Sequence, residues 1–261
     1  MQQQRQIPAE ARELLLGNER HVHAAVIDGG LVAVLSDLNH DFHTSLEEGF
    51  DTMGLYLDER ILLTTRRHPL ETADQVRRDL RAGVFEPTNT FALFEHFLER
   101  LADTQAAVVR RLADQVDDAE DEILTGRLGP EGERLGRIRR GLARVRRQLN
   151  ANRAALSPLP RRLPAQYDGA QRQAMREAIE RHDAVAQDLE LVQERARLAQ
   201  EEIGGRLTEA TNRNLFLLSI VTTTLLPITL ITGIFGMNVG GLPWLDNGRG
   251  FWWVILLMMA A

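Results

Sequence analysis

Residues 215–235 read LFLLSIVTTTLLPITLITGIF, and Gly236-Met237-Asn238 follow at once. These 21 residues carry no charge. At about 1.5 Å rise per residue they span roughly 30 Å, the thickness of one hydrocarbon core. A helix of a soluble protein rarely runs so far without a charged face. The segment therefore predicts a membrane-spanning helix, and the reading of every other segment follows from it.

Downstream, residues 251–261 form a second apolar run, FWWVILLMMAA. Trp252 and Trp253 sit where interfacial aromatics belong. Eleven residues are too few to cross a bilayer as a helix. The expectation is a second membrane helix inside which the sequence stops, as a fragment or a truncated gene. Upstream, Arg206 and Arg213 precede the first span, whereas the loop 239–250 holds Arg249 alone. The excess of arginine predicts a cytoplasmic N-terminal region, an outer short loop and a multi-pass chain embedded in lipid.

The rest of the chain is water-soluble in composition. There is no cysteine, so disulfides and thiolate metal sites are excluded. There is no lysine either; all 31 basic side chains are arginine, which reads as codon composition before function. A net charge of −6 argues against nucleic acid as a partner. The first twelve residues, MQQQRQIPAEAR, have no apolar h-region, so no signal peptide is visible.

Local signals divide the soluble part. Residues 21–26 and 31–35 are strand-like runs around Asp28-Gly29-Gly30, a hairpin signal. Residues 53–57 and 61–65 flank Asp58-Glu59-Arg60 in the same way, and 70–82 reads as a helix. From Thr88 the pattern is helical: 90–126, then 131–156, then a break at SPLPRRLP (157–164). Residues 165–235 hold no proline before Pro227, with Gly204-Gly205 the one weak point. A helix of this length reaches roughly 100 Å. The fold expected is an α+β cytoplasmic domain, partial and helix-rich (1–87, with a helical hairpin at 88–164). A very long stalk helix (165–214), a first transmembrane helix (215–235), a signature and outer loop (236–250) and a truncated second transmembrane helix (251–261) then follow.

Two charge runs stand out, acidic Asp114–Glu122 and basic Arg134–Arg147. They read as solvated faces of two antiparallel helices that attract each other. The alternative is that the acidic run gathers divalent cations. His40 with His43, and His21 with His23, are candidate regulatory metal pairs, although isolated histidine pairs are mostly surface residues.

The stretch ITGIFGMNVGGLPW (231–244) resembles the CorA family of divalent-metal transporters, marked by Gly-Met-Asn at the outer end of the first of two C-terminal membrane helices. Gly236, Met237 and Asn238 match in sequence and in place. The continuation VGGLPW resembles the zinc-transporting, ZntB-like branch. The resemblance implies a homo-oligomer of five subunits in the bacterial inner membrane. It also implies transport of Zn²⁺ or Mg²⁺ with no cofactor, and a first membrane helix that faces the pore axis.

Spacing gives an independent view of that face. Asn212, Leu215, Ser219, Thr222, Leu226, Thr229 and Gly233 recur every three or four residues, within about 100° of arc on a helical wheel. Thr223, Thr224 and Thr232 lie off the arc. Intramembrane polar groups face a bundle interior or water, so the arc is the expected pore lining. Leu215 and Leu226 are apolar rings of the kind that gate by dewetting. Pro227 frees the carbonyl of Thr223, which nearby threonines can satisfy.

At the mouth, Gly236 lets the backbone leave the helix and Asn238 supplies an amide oxygen. Such oxygens suit a hard dication that keeps its water. Met237 reads as packing. Asp246 is the one acid of the outer loop. Zinc favours Cys, His and carboxylate ligands, and the arc has none, so zinc would pass hydrated. A membrane-anchored scaffold or sensor is the competing class. An enzyme is not expected, because no phosphate loop, nucleophile elbow or metal-ligand helix motif is present.

Overall fold

A computed structural model describes residues 7–17, 21–39, 49–125, 131–236 and 249–260. The chain divides into two compact units, 1–200 and 201–261.

The first unit is built on a four-stranded antiparallel meander. Its strands are β1 (His23–Ile27), β2 (Gly30–Leu38), β3 (Phe50–Leu57) and β4 (Leu62–Arg66), in that order across the sheet. Asp28 and Gly29 form the two-residue β1–β2 turn, both at positive φ (50° and 78°). That geometry demands a residue pair such as Asp-Gly. It sets the register Ile27↔Gly30, Val26↔Leu31.

Every residue of β2 is buried, because helices cover both faces of the sheet. On one face, Val32 and Tyr56 pack with Ala11 and Leu15 of α1 (Ala9–Leu16). On the other, Leu31, Leu35, Met53 and Leu55 meet Phe91, Phe94, Leu98 and Leu101 of α3 (Thr90–Leu124). Leu156 of α4 (Glu131–Leu156) and Leu159 of α5 (Leu159–Arg162) complete that core, with Val76 of α2 (Glu71–Ala82). The compositional boundaries at 87 and 164 therefore mark changes of element within one continuous core.

The sequence did not signal α1 or α5. The run 157–164 is not only a break, since Leu159–Arg162 is helical within it. The stalk also starts later than its composition suggests, at Gly169. Asp168 accepts from Gln171 N (2.8 Å), and Gln171 Oε1 accepts from Asp168 N (3.0 Å). This reciprocal capping box ends the turn 165–168 and begins α6 (Gly169–Phe235). Gly204 and Gly205 lie inside α6 without interrupting it.

Two buried polar groups lock the layers together. Ser36 lies beyond the last β1–β2 pair, His23↔Val34. Its backbone bonds instead to Asn152 of α4, which accepts from Ser36 N and donates to Ser36 O, both at 2.8 Å. Asp37 accepts from Thr72 Oγ1 (2.6 Å) and Leu38 N (2.7 Å). Burial nevertheless pushes its carboxyl up to about 6. Replacing Asn152 by Leu strands a buried donor and a buried acceptor. It is expected to cost about 2–3 kcal/mol of stability, read as a lower denaturation midpoint.

Within the first unit, α3, α4 and α6 pack as a three-helix bundle. Buried His182 of α6 bonds Gln105 of α3 (3.0 Å). Arg195 of α6 pairs with Asp117 and Glu120 of α3, and Arg153 of α4 with Asp183 of α6. Of the two charge runs, Arg134 joins Asp118 and Glu122 across the α3–α4 hairpin as the sequence suggests. Asp117 and Glu120 turn instead to α6.

Burial holds the His182 imidazole down at about 4, against an ordinary 6.5. The folded chain therefore stays neutral there while the unfolded chain takes up a proton. Stability from this site is full above pH 6.5 and is lost as pH falls towards 4, by about 3 kcal/mol in all. The raised Asp37 acts in the opposite sense, losing stability as pH rises through about 6. Comparing thermal midpoints of the wild type and His182→Gln between pH 7 and 4.5 isolates the histidine. The wild type is expected to lose more stability on acidification than the variant.

Candidate functional site

The second unit contains the C-terminal part of α6 and α7 (Gly250–Ala260). None of residues 201–236 is buried within the chain. Leu215 is 57% exposed, Phe216 66% and Leu226 60%. Among the described residues, α6 is the one helix long and apolar enough to cross a membrane.

The helix brings all seven residues of the arc onto one face, because α6 is continuous from Asn212 through Gly233. Its threonines use their protons internally. Thr222 donates to Leu218 O and Thr229 to Leu225 O, each at 2.8 Å. Off the arc, Thr224 and Thr232 do the same with Ile220 O and Ile228 O. A hydroxyl whose proton is bonded back along the helix still has lone pairs. What Thr222 and Thr229 present outward is therefore acceptor oxygen, which attracts cations and the protons of their hydration water.

The expectation for Pro227 needs correction. α6 continues through it. The hydroxyls of Thr222, Thr224, Thr229 and Thr232 go to their own i−4 carbonyls, so they do not satisfy that of Thr223.

At Gly236 the helix ends in a turn, with Gly236 N donating to Thr232 O at 2.8 Å. A Cβ there would come within 2.9 Å of Thr232 O. Close backbone approach, with no need for positive φ, explains the glycine. Met237, Asn238 and Asp246 lie outside the described residues, as do His40 and His43. His23 Nδ1 meets His21 O at 2.8 Å. No group of three or more His, Asp or Glu among the described residues is placed to hold a metal ion. Neither the His21–His23 pair nor the acidic run forms a chelating cluster of that size.

Upstream, within the first unit, α6 also turns two large apolar side chains outward. Counting by three and four from Asn212 gives Thr208, Gly205, Glu201, Leu198, Glu194 and Leu191. Leu191 and Leu198 are 66% and 50% exposed, on the side of α6 opposite buried Leu189, Val192 and Ala196. Spacing alone does not signal them, since the positions between carry Glu194, Glu201, Gly205 and Thr208 rather than the apolar a and d residues of a coiled coil.

An α+β unit followed by a long helix with an uncovered apolar end fits a protein held in a membrane. This chain belongs to the CorA-like Mg²⁺ transporter protein family, whose profile matches residues 1–261. It is a divalent-cation transporter of the CorA/ZntB family and not an enzyme.

The zinc transport protein ZntB of Pectobacterium carotovorum subsp. carotovorum (strain PC1) is 27% identical over 254 residues, 97% of this chain and 76% of that protein. The divalent cation transporter CmaX of Pseudomonas aeruginosa is 31% identical over 214 residues, 81% of this chain and 64% of that one. The solved structure of full-length CmaX matches with a TM-score of 0.81 at 28% identity, over 99% of this chain and 79% of that chain. The CorA magnesium transporter of Methanocaldococcus jannaschii shares the fold, with a TM-score of 0.82 at 20% identity over 97% and 80% of the two chains.

If acceptor oxygen on the arc serves the cation, Thr222→Val with Thr229→Val keeps shape and removes it. Cation uptake by the double variant is expected to fall about tenfold or more, the equivalent of one lost hydrogen bond to charge. Thr224→Val with Thr232→Val is expected to leave it near wild type.

Proposed function

We propose that several copies of this chain ring a pore lined by the arc Asn212–Gly233, with Gly236-Met237-Asn238 at its outer mouth. The observation that carries this reading is the exposed α6: an apolar surface with one polar face and nothing among the described residues to cover it. Lipid covers the aliphatic sides, and neighbouring copies close around the polar one. One helix cannot enclose a pore, and five copies is the number that the family resemblance implies.

The three-and-four spacing of the arc from Asn212 to Gly233 supports close assembly through this face. Leu215 and Leu226 then form apolar constrictions between hydroxyl rings.

A dication orients its first-shell waters with protons outward. A lining that offers acceptors therefore fits the hydrated ion, and small dications such as Mg²⁺ shed water reluctantly. Zn²⁺ is the favoured cargo through the named relative, with Mg²⁺ and Co²⁺ carried by the same chemistry. Because the arc offers no nitrogen, sulfur or carboxylate ligand, Zn²⁺ also crosses hydrated. The arginines before the span, Arg206 and Arg213, favour a cytoplasmic first unit with the loop after Gly236 outside, and the family resemblance favours the bacterial inner membrane. Residues 251–261 begin a second span.

The test is uptake. The full-length chain in proteoliposomes is expected to admit Zn²⁺, Mg²⁺ and Co²⁺, followed with an enclosed dye, and Asn238→Ala to slow entry. A wild type that carries no dication, or an Asn238→Ala variant equal to it, overturns the proposal.

A further inference from the structure

Three facts about the bundle fix where its outward faces point. α6 turns its buried residues Leu189, Val192 and Ala196 toward α3 and α4, and its exposed Leu191 and Leu198 away from them. On α3, Asp114 and Asp121 are exposed, opposite buried Leu112, Val116 and Ala119. On α4, Arg137, Arg140 and Arg147 are exposed within one narrow arc, opposite buried Leu135, Leu142 and Leu149.

None of these five charged side chains has an ion pair or side-chain hydrogen bond among the described residues. Their neighbours behave differently. Arg134 is held by Asp118 and Glu122, Arg139 reaches Gln200, and Arg146 reaches Gln193 at 3.4 Å. The bundle satisfies the charges that flank its helix seams and leaves facing out an arginine ridge on α4 and, on α3, Asp114 and Asp121 with exposed Arg110 one turn before Asp114.

The geometry points to these faces as the contact between neighbouring copies, Asp114 and Asp121 of α3 on one against the arginine ridge of α4 on the next. This inference rests on the ring reading above. If the Leu191–Leu198 face of α6 looks to the axis of a ring, the outward faces of α3 and α4 look sideways, in opposite directions. A closed ring is built from one repeated head-to-tail contact, so one lateral face of each copy always meets the other lateral face of the next. Two like ridges would repel at every contact; an acidic and a basic one attract at every contact.

The heights agree as well. Arg134 lies beside Asp118 and Glu122 in the antiparallel α3–α4 pair. Counting on from it, Arg140 stands level with Asp114 and Arg137 with Asp117. An axis parallel to the helices preserves these levels from one copy to the next. Since the pairs are exposed and singly weak, the contact sets the register and direction of the ring, and salt loosens it.

A chain without cysteine makes the test clean. Two differently tagged full-length chains, one Asp114→Cys and the other Arg140→Cys, are co-expressed in membranes. They are then treated with a bis-maleimide of about 10 Å span, the spacing of packed helices. The expected result is a cross-linked pair carrying both tags, weakened at high salt, and no product when both chains carry Arg140→Cys. Native mass spectrometry at low salt should show Arg140→Glu losing assembled protein and Asp114→Arg in the same chain restoring it. An assembled protein with no mixed-tag product, or a charge swap that restores nothing, overturns the inference and leaves the ring intact. A protein that is monomeric at every salt concentration overturns the ring itself.

Discussion

The uncovered apolar surface of α6 is the constraint on which the rest of the structure depends. Among the described residues, ten large hydrophobic side chains between Leu215 and Ile234 are exposed by 40% or more. Fully burying one such side chain is worth about 1.5–3 kcal/mol. Among the described residues nothing covers them, so lipid or another copy that covers the helix gains that energy. The first unit holds the part of α6 before Gln200 through side chains as specific as His182 and Arg195, and in doing so leaves the Leu191–Leu198 face outward.

Chemistry on the membrane segment follows from the same helix. A Ser or Thr in hydrocarbon gives its proton to the carbonyl one turn back, whichever way it faces. Thr222, Thr224, Thr229 and Thr232 all do so. Under the proposed pore, this hydrogen bond is common to arc and off-arc threonines, and only their position on the wheel separates them. Oxygen acceptors in rings, spaced by apolar rings, suit an ion that arrives wrapped in water.

The sequence reveals the parts set by local chemistry. The Asp28-Gly29 turn, the strands beside it, the helices at 90–124 and 131–156 and the apolar span all follow from short-range signals. It conceals the parts set by distant partners. β2 runs on through Ser36-Asp37-Leu38, which reads as polar and strand-ending, because Asn152, 116 residues away, completes its hydrogen bonds. α1 carries three charges in eight residues, so its composition does not mark it as packed; the contact of Ala11 and Leu15 with Tyr56 makes it structural. The stalk's beginning was placed four residues early because the Asp168–Gln171 capping box was not recognised. The arc comes from spacing alone, and its role as a pore lining is a proposal. The outward Leu191 and Leu198 are not legible in the sequence, since exposure on one side of a helix is known only once the other side is seen to be buried.

The most direct measurement of the central claim is thiol accessibility along α6. Single cysteines at Ser219, Thr222, Leu226 and Thr229 are compared with cysteines at Thr224 and Thr232, using a charged, membrane-impermeant thiol reagent on assembled protein in membranes. A water-filled pore on the arc predicts that the first group reacts, that a transported dication slows the reaction, and that the second group stays inert. Equal labelling of both groups, or labelling of Thr224→Cys and Thr232→Cys alone, would contradict it.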